Sequence, residues 1–359
     1  MNDRPRLSQD LLAAVLVGCL GFISLLPAAA RSWAQDLELS SSRAVPEALV
    51  YADAENKDHP GIAFAVIVDK SRQQVCLYRQ DSYWRMVAKW PCSTGKLDGP
   101  KEMEGDQRTP EGVYFATRDV GSRYLTETYG SRALPLDYPN WLDKRFSRSG
   151  SAIWLHGTNK DLKARDSNGC IVLENATIQR LAPFIRLNRT PVIIVDRLRL
   201  WPIKEARQAA GAILTAADQW HEALMHGSYS EFRQFYDHHA APSMRWWQKW
   251  CRLRRKADMA IDYNSRMGRR AIYRWGNDYV LLFDHVLSTV SSSQWVGRRK
   301  LYLRLDGDTV RIFGDTYQSV PRGSHDPLLQ AWRLFRAGEE KDSQVAANEK
   351  NGQRKYSLE

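Results

Sequence analysis

The chain has 359 residues, of which 43% are hydrophobic and 11% aromatic, so it can bury substantial cores and is not disordered overall. This length favours two domains preceded by a leader. The net charge of +11 favours polyanionic surroundings, but the sequence has no zinc-finger spacing, Walker loop or RNA-binding motif, so nucleic acid is not an expected partner.

Residues 1–34 have the pattern of an export segment. Arg4 and Arg6 precede an apolar run over residues 11–30, and small residues that suit a signal peptidase occur at 28–30 and at 32–34. Three outcomes stay open: a cleaved signal peptide, an uncleaved segment that associates with the inner membrane, and a lipid attached at Cys19. All three place the rest of the chain in the periplasm or cell envelope.

The pattern of residues 59–197 predicts a mainly β domain, either a sandwich or a barrel. The preceding residues 35–58 are polar, and we expect them to form a mobile lead-in. Residues 175–188 predict a helix with Asn175 as its N-cap, and the connection 118–150 predicts a lid or a substrate-facing loop. Strands are predicted at GIAFAVIVD (61–69), QQVCLYRQ (73–80), WRMVAKWPC (84–92), GVYFAT (112–117), SAIWLHG (151–157) and TPVIIVD (190–196).

The composition changes near residue 200, and residues 198–336 predict an α+β domain with helices first and an antiparallel meander after them. Apolar residues recur at helical spacing over 203–227, and shorter helices are expected at 228–237 and 244–258. The pair Asp306-Gly307 interrupts an alternating pattern and predicts a hairpin. The polar residues 337–359 are expected to form a disordered tail. The predicted core of this domain includes Trp246, Trp247 and Trp250.

The stretch IWLHGTNKDLKARDSNGCIVL (153–173) combines residue types suited to thiol chemistry. Cys170 offers a nucleophilic thiol, and His156, fourteen positions earlier at the end of a predicted strand, is its natural base. One ring nitrogen of His156 needs a partner that fixes the tautomer, and we expect the carbonyl of Gly157. Gly169 permits a sharp turn, and we expect the amides of Gly169 and Cys170 to bind an oxyanion.

The alternative reading of this stretch is structural, because a single cysteine is usually a buried small hydrophobe and a single histidine is usually an ordinary satisfied residue. If the site is functional, Ser167 and Asn168 are candidates for polar contacts to the substrate. No cofactor or metal is expected: the four cysteines after the leader lack metal spacing, and His221 and His226 lie five apart on a helix.

Three segments in order along residues 61–196 resemble the L,D-transpeptidase catalytic domain, with its YkuD-like fold. They are CSTGKLDGPK (92–101), RTPEGVYFA (108–116) and the pair HGT…SNGCI around His156 and Cys170. The resemblance implies Cys170 as nucleophile and His156 as base. It implies a peptidoglycan stem peptide as substrate, attacked at the carbonyl of its third, diamino-acid residue. Thr158 of the His-Gly-Thr segment becomes a candidate substrate contact.

Two positions depart from the pattern of this family. Asn168 stands where a second histidine usually precedes Gly-Cys, and Val172 stands where the family often has Arg or Asn. The second change removes a contact to a substrate carboxylate. Arg108, Lys96 or Lys101 is a candidate for the missing positive charge.

Residues 198–336 resemble the cone-shaped domains of the nuclear-transport-factor/SnoaL type. A YkuD-like domain followed by such a cone-shaped domain is similar to the domain order of the L,D-carboxypeptidases that determine the shape of curved and helical bacteria. It implies removal of the terminal D-Ala from tetrapeptide stems, with a second domain that positions substrate or a protein partner. Two alternatives stay open: an L,D-transpeptidase that uses an amine acceptor for 3–3 cross-linking, D-amino-acid exchange or lipoprotein attachment, and a degenerate protein that only binds murein.

Overall fold

The structure, a computed structural model, describes residues 44–53, 63–81, 83–238, 240–258, 264–288 and 293–317. The predicted export segment and the predicted tail lie outside the described residues. Within the described ranges, no helix is both long enough and apolar enough to cross a membrane.

The described part of the chain forms sixteen strands and five α-helices. The strands are β1 (Ala44–Pro46), β2 (Leu49–Ala52), β3 (Phe64–Asp69), β4 (Gln74–Gln80), β5 (Trp84–Pro91), β6 (Gly112–Phe115), β7 (Val120–Gly121), β8 (Arg132–Pro135), β9 (Trp154–His156), β10 (Ile171–Val172), β11 (Pro191–Val195), β12 (Leu200–Pro202), β13 (Asn264–Trp275), β14 (Asp278–Ser288), β15 (Ser293–Asp306) and β16 (Thr309–Tyr317). The helices are α1 (Trp141–Arg145), α2 (Asn175–Leu181), α3 (Ile203–Met225), α4 (Tyr229–Arg233) and α5 (Met244–Asp258).

The first domain is a sandwich of a five-stranded sheet, in the order β5-β4-β3-β11-β6, and a four-stranded sheet, in the order β10-β9-β8-β7. Strand β3 is buried on both faces, as its continuous apolar run indicates. Val66 and Val68 face the core that lies between the two sheets and α2, whereas Ala65 and Ile67 face a second core. The prediction of a mainly β domain is confirmed.

The second domain packs α3, α4 and α5 on a sheet in the order β16-β15-β14-β13-β2, so the α+β prediction is confirmed. Trp220, Trp247 and Trp250 are buried in its core, and Trp246 packs against them. The predicted hairpin joins β15 to β16, with Gly307 in the left-handed region at φ +58°.

The lead-in expected at 35–58 is not a loose segment where the structure describes it. Residues 44–46 pair with β12, and β2 is an edge strand of the second domain's sheet, where Tyr51 lies opposite Ile272. Leu49 is fully buried. The prediction was wrong here because a four-residue apolar strand between polar flanks carries little signal, and its partner strand lies more than 200 residues away.

The two domains share the second core, which contains Ile67 and Phe115 of the first domain and Tyr273 and Tyr302 of the second. Trp141 of α1 stacks on Tyr302, with 5.0 Å between ring centroids. Two partly buried ion pairs cross the same interface: Lys300 with Asp137 at 2.7 Å, and Arg189 with Asp284 at 2.6 Å. The shared apolar area is therefore the main contribution that holds the domains together.

Candidate active site

Cys170 and His156 lie at the ends of two neighbouring parallel strands. Strand β9 ends at His156, β10 begins directly after Cys170, and Ile171 lies opposite Leu155. Leu155 and Ile171 are fully buried in the sandwich core. Because side chains alternate along a strand, Cys170 and His156 project from the other face of the sheet, with Val172 opposite His156. The excursion between them thus returns to the same sheet edge.

His156 is held in one tautomer by its own neighbour. Its Nδ1 lies 2.6 Å from the carbonyl oxygen of Gly157, the contact expected from the sequence. A carbonyl only accepts, so Nδ1 carries the proton and Nε2 keeps the lone pair that a base needs. Burial lowers the pKa of His156, although the bond to Gly157 opposes this, and the neutral imidazole is favoured.

Part of the 118–150 segment contacts this histidine. The Tyr129 ring packs edge-on against the imidazole, with 5.0 Å between centroids, and also lies against Trp154 at 4.5 Å. The rest of the segment is built into the domain, because it supplies β7, β8 and α1 and buries Leu134 and Leu142. The expected loop is therefore mostly regular structure, and its Tyr129 side chain contacts His156 at the candidate site.

Asn175 fixes the backbone around Gly157. A Cβ on Gly157 would lie 2.3 Å from Asn175 Oδ1, so a larger residue does not fit. The same oxygen accepts from the amide of Ser131 at 2.8 Å. Asn175 is the first residue of α2 and Glu174 holds the N-cap position, so the predicted N-cap is wrong. The side chain of Asn175 bonds a neighbouring loop instead of its own helix.

The thiol of Cys170 is partly buried and donates to the carbonyl of Ala152 at 3.5 Å, while the amide of Trp154 donates to the sulfur. Burial raises the pKa of the thiol, and the Trp154 amide and the charge of Lys101 oppose it. A raised thiol pKa and a lowered imidazole pKa together favour a neutral resting pair.

Alkylation of Cys170 should accordingly follow a pKa above the ordinary range of cysteine, because iodoacetamide reacts with the thiolate that burial disfavours. The rate at this residue is measured by mass spectrometry between about pH 6 and pH 10. The same residue in urea-unfolded protein provides the ordinary value. Full reactivity at neutral pH in the folded protein would instead indicate a preformed thiolate–imidazolium pair.

The turn that carries the thiol is fixed by Thr109, which the sequence analysis did not single out. Thr109 is fully buried, donates to the carbonyl of Gly169 at 2.9 Å and accepts from the amide of Gly95 at 2.8 Å. Gly169 has φ +128°, and a Cβ there would lie 2.8 Å from the carbonyl oxygen of Arg108. The only available signal was the position of Thr109 in the Thr-Pro segment.

Ser167 and the Gly169 amide are engaged within this turn. The Ser167 hydroxyl donates to the carbonyl of Cys170 at 2.6 Å and accepts from the Gly169 amide at 3.1 Å. Ser167 is also buried. These contacts differ from the expected ones, in which Ser167 faced the substrate and the Gly169 amide faced an oxyanion. Both groups instead shape the backbone on which Cys170 sits.

The other candidates surround this turn. Asn168 and Lys96 are exposed, and the amide of Lys96 donates to the carbonyl of Ser167 at 3.1 Å. Arg108 is partly exposed and lies 3.8 Å from Glu102, and its buried Nε has no hydrogen-bond partner among the described residues. Thr158 follows Gly157 on the histidine side, where its hydroxyl accepts from the amide of Lys160 at 3.1 Å. In the described ranges, no group of three or more His, Cys, Asp or Glu side chains is arranged to hold a metal ion.

Replacing Thr109 with valine should lower the free energy of unfolding by about 1–3 kcal/mol, because it leaves the Gly169 carbonyl and the Gly95 amide buried without their partner. Urea denaturation measures this change. The Thr109→Ser variant keeps the hydroxyl and should lose much less. Equal stability of the valine variant and the parent would show that neither hydrogen bond contributes.

Residues 63–194 match the model of the family described as YkuD, the L,D-transpeptidase catalytic domain. This range includes His156, Cys170 and Thr109. Residues 63–194 are therefore similar to the catalytic domain of that family, and the resemblance predicted from the three motifs is confirmed.

Among curated proteins, the putative L,D-transpeptidase YafK of Escherichia coli K12 is 24% identical over 180 residues, which is 49% of this chain and 62% of YafK. The chain thus matches less than two thirds of the length of that relative. The structure of Bd1075 from Bdellovibrio bacteriovorus is 22% identical with a TM-score of 0.62 and covers 78% of this chain and 100% of its own. The helical cell shape determining protein Pgp2 from Campylobacter jejuni is 21% identical with a TM-score of 0.56, covering 75% and 94%. These likenesses establish the fold, and they extend well beyond the catalytic domain.

Proposed function

We propose that this chain is an exported cysteine enzyme of peptidoglycan, an L,D-carboxypeptidase that removes the terminal D-Ala from tetrapeptide stems. The observation that carries the proposal is the placement of His156 beside the Cys170 strand, with Nδ1 bound to the Gly157 carbonyl and Nε2 left as a base. The L,D-transpeptidase family domain and the likeness to a cell shape determining protein support peptidoglycan as the substrate.

In the proposed reaction, the Cys170 sulfur attacks the carbonyl carbon of the third, diamino-acid residue while His156 Nε2 takes the thiol proton. The tetrahedral intermediate collapses, the bond to D-Ala breaks, and the departing amine receives the proton from His156. The product is a thioester on Cys170. Water then attacks this thioester with the same histidine as base, which releases the tripeptide and restores the thiol.

The residues around the turn have proposed roles in binding. The Cys170 amide is the proposed oxyanion donor, because the Gly169 amide is engaged by Ser167. Arg108, with its unpartnered Nε beside the turn, is the proposed partner of the substrate carboxylate, and it replaces the cation that Val172 lacks. Asn168, Lys96 and Thr158 complete the proposed substrate surface.

Water is the proposed acceptor because the α+β domain follows the catalytic domain, the pairing expected of the cell-shape L,D-carboxypeptidases. We propose that this second domain positions the murein or a protein partner. Export through residues 1–34 would bring the catalytic domain to its substrate in the periplasm, with an inner-membrane association if that segment is retained.

The test uses a defined disaccharide-tetrapeptide, with the products read by liquid chromatography and mass spectrometry. The reaction is run alone, with an added D-amino acid and with a second stem, and Cys170→Ala is the control. Disaccharide-tripeptide as the sole Cys170-dependent product supports the proposal. A 3–3 linked dimer or exchange of the terminal residue would identify a transpeptidase. Binding of murein with no Cys170-dependent product would identify a degenerate site.

A further inference from the structure

Lys101 is a buried cation packed against a segment that leads into the candidate site, and the proposed mechanism gives it no task. The residue is 3% exposed, whereas a lysine is almost never fully buried unless it is paired. Its ammonium group donates to Asp106 Oδ1 at 2.6 Å and to the carbonyl of Met103 at 2.9 Å. A fold retains such a pair at a cost in desolvation, so its position needs a reason.

The turn that contains Lys101 touches both backbone segments that flank the sulfur. On one side, a Cβ on Gly150 would lie 3.0 Å from Lys101 Cε, and Ala152, two residues later, accepts the hydrogen bond of the Cys170 thiol. On the other side, the carbonyl of Arg108 packs on Gly169. The lysine is therefore built into the same layer as the thiol.

Asp106 fixes the ammonium in that layer. Although burial acts to raise it, hydrogen bonds from Lys101 and from the amides of Glu102, Met103 and Arg108 hold the pKa of Asp106 at about 2. The carboxylate is therefore ionised at any pH at which the protein is used. Because three amides share this carboxylate with the lysine, Lys101 is anchored without depending on solvent.

We propose that Lys101 is a positioning residue of the thiol site, whose fixed positive charge stabilises the negative charge that develops on the Cys170 sulfur. The part that this charge plays in catalysis rests on the function proposed above. A buried charge acts through less solvent screening than the exposed Lys96 or the half-exposed Arg108. In line with this role, the charge of Lys101 lowers the pKa of the thiol, against the burial that raises it. Ionisable groups of the neighbouring elements include His156, Tyr138, Tyr114, the pair Arg108–Glu102 and the pair Arg148–Asp143.

The test is the pH dependence of Cys170 alkylation by iodoacetamide in Lys101→Met, which keeps the chain length and removes the charge. We expect an alkylation rate about tenfold lower at neutral pH, with the thiol pKa moved upward and the rates converging at high pH. Lys163→Met, which removes an exposed lysine from the excursion between His156 and Cys170, should leave the profile unchanged.

Asp106→Asn distinguishes an effect of the Lys101 charge from an effect of Lys101 packing. The variant keeps the ammonium of Lys101 and removes the negative charge that pairs with it. If Lys101 acts through its charge, this variant alkylates at least as fast as the parent, opposite in sign to Lys101→Met. If both variants are slowed alike, or if Lys101→Met changes only the unfolding midpoint, the proposal is overturned. If Lys101→Met does not fold, the proposal is judged by Asp106→Asn alone. A Cys170 alkylation rate equal to or above that of the parent supports the proposal, and a lower rate overturns it.

Alkylation needs no stem peptide, so this test is independent of the proposed activity. Tetrapeptide left uncleaved by the parent protein would contradict the function while the alkylation profiles still report on Lys101. Conversely, a cleaving protein whose Lys101→Met variant keeps the parent profile would retain its function without this role for the lysine.

Discussion

Replacing Cys170 with serine should abolish release of D-Ala from a tetrapeptide stem. The rate should fall by a factor of about 10⁴ or more. A serine hydroxyl is far less acidic than the thiol, and His156, whose pKa burial lowers, is too weak a base to compensate. The substitution changes one atom and keeps a group that can donate a hydrogen bond toward Ala152. The readout is the initial rate of tripeptide formation, by liquid chromatography and mass spectrometry.

The matched control is Cys251→Ser, a partly buried cysteine of α5 in the second domain. Its activity should equal that of the parent. Both variants should unfold at similar denaturant concentrations, so that loss of rate is not loss of fold. Residual activity of Cys170→Ser within tenfold of the parent would contradict the requirement for a thiol nucleophile.

Replacing His156 with glutamine should slow the reaction by about 10²–10⁴-fold, because the amide cannot take the thiol proton or return it to the leaving amine. The proposed mechanism needs neutral His156, and the fraction of the neutral form rises as the pH exceeds the pKa of the imidazole. Burial lowers that pKa, so the acid limb of kcat/KM should lie below about pH 6.5. The pH profile of kcat/KM measures this limb, which should vanish in His156→Gln.

His226→Gln is the control for this substitution, because His226 is an exposed histidine just after α3. It should keep both the rate and the acid limb. An acid limb that persists unchanged in His156→Gln would assign the titration to another group and leave His156 a structural residue.

The thiol, the histidine and the Gly157 carbonyl could be predicted because each depends on local sequence. A strand end followed by glycine supplies the carbonyl, and a glycine before the cysteine supplies the turn. The supporting contacts could not be predicted in the same way. Thr109 bonds Gly169 across sixty positions, and Asn175 bonds Ser131 across forty-four. Short polar side chains bond locally or at long range with similar energies, so only the fold selects the partner.

The edge strand β2 determines the order in which the chain passes through the two domains. It precedes the catalytic domain in the chain, yet it pairs with β13 and buries Leu49 in the second core. The catalytic domain is therefore an insertion, joined at both of its ends to a unit that begins before it and resumes after it. Any movement of this domain must therefore be accommodated by both connections. Residues 198–336 expressed alone would lack a strand, and they would leave the β13 edge open to pairing with another chain.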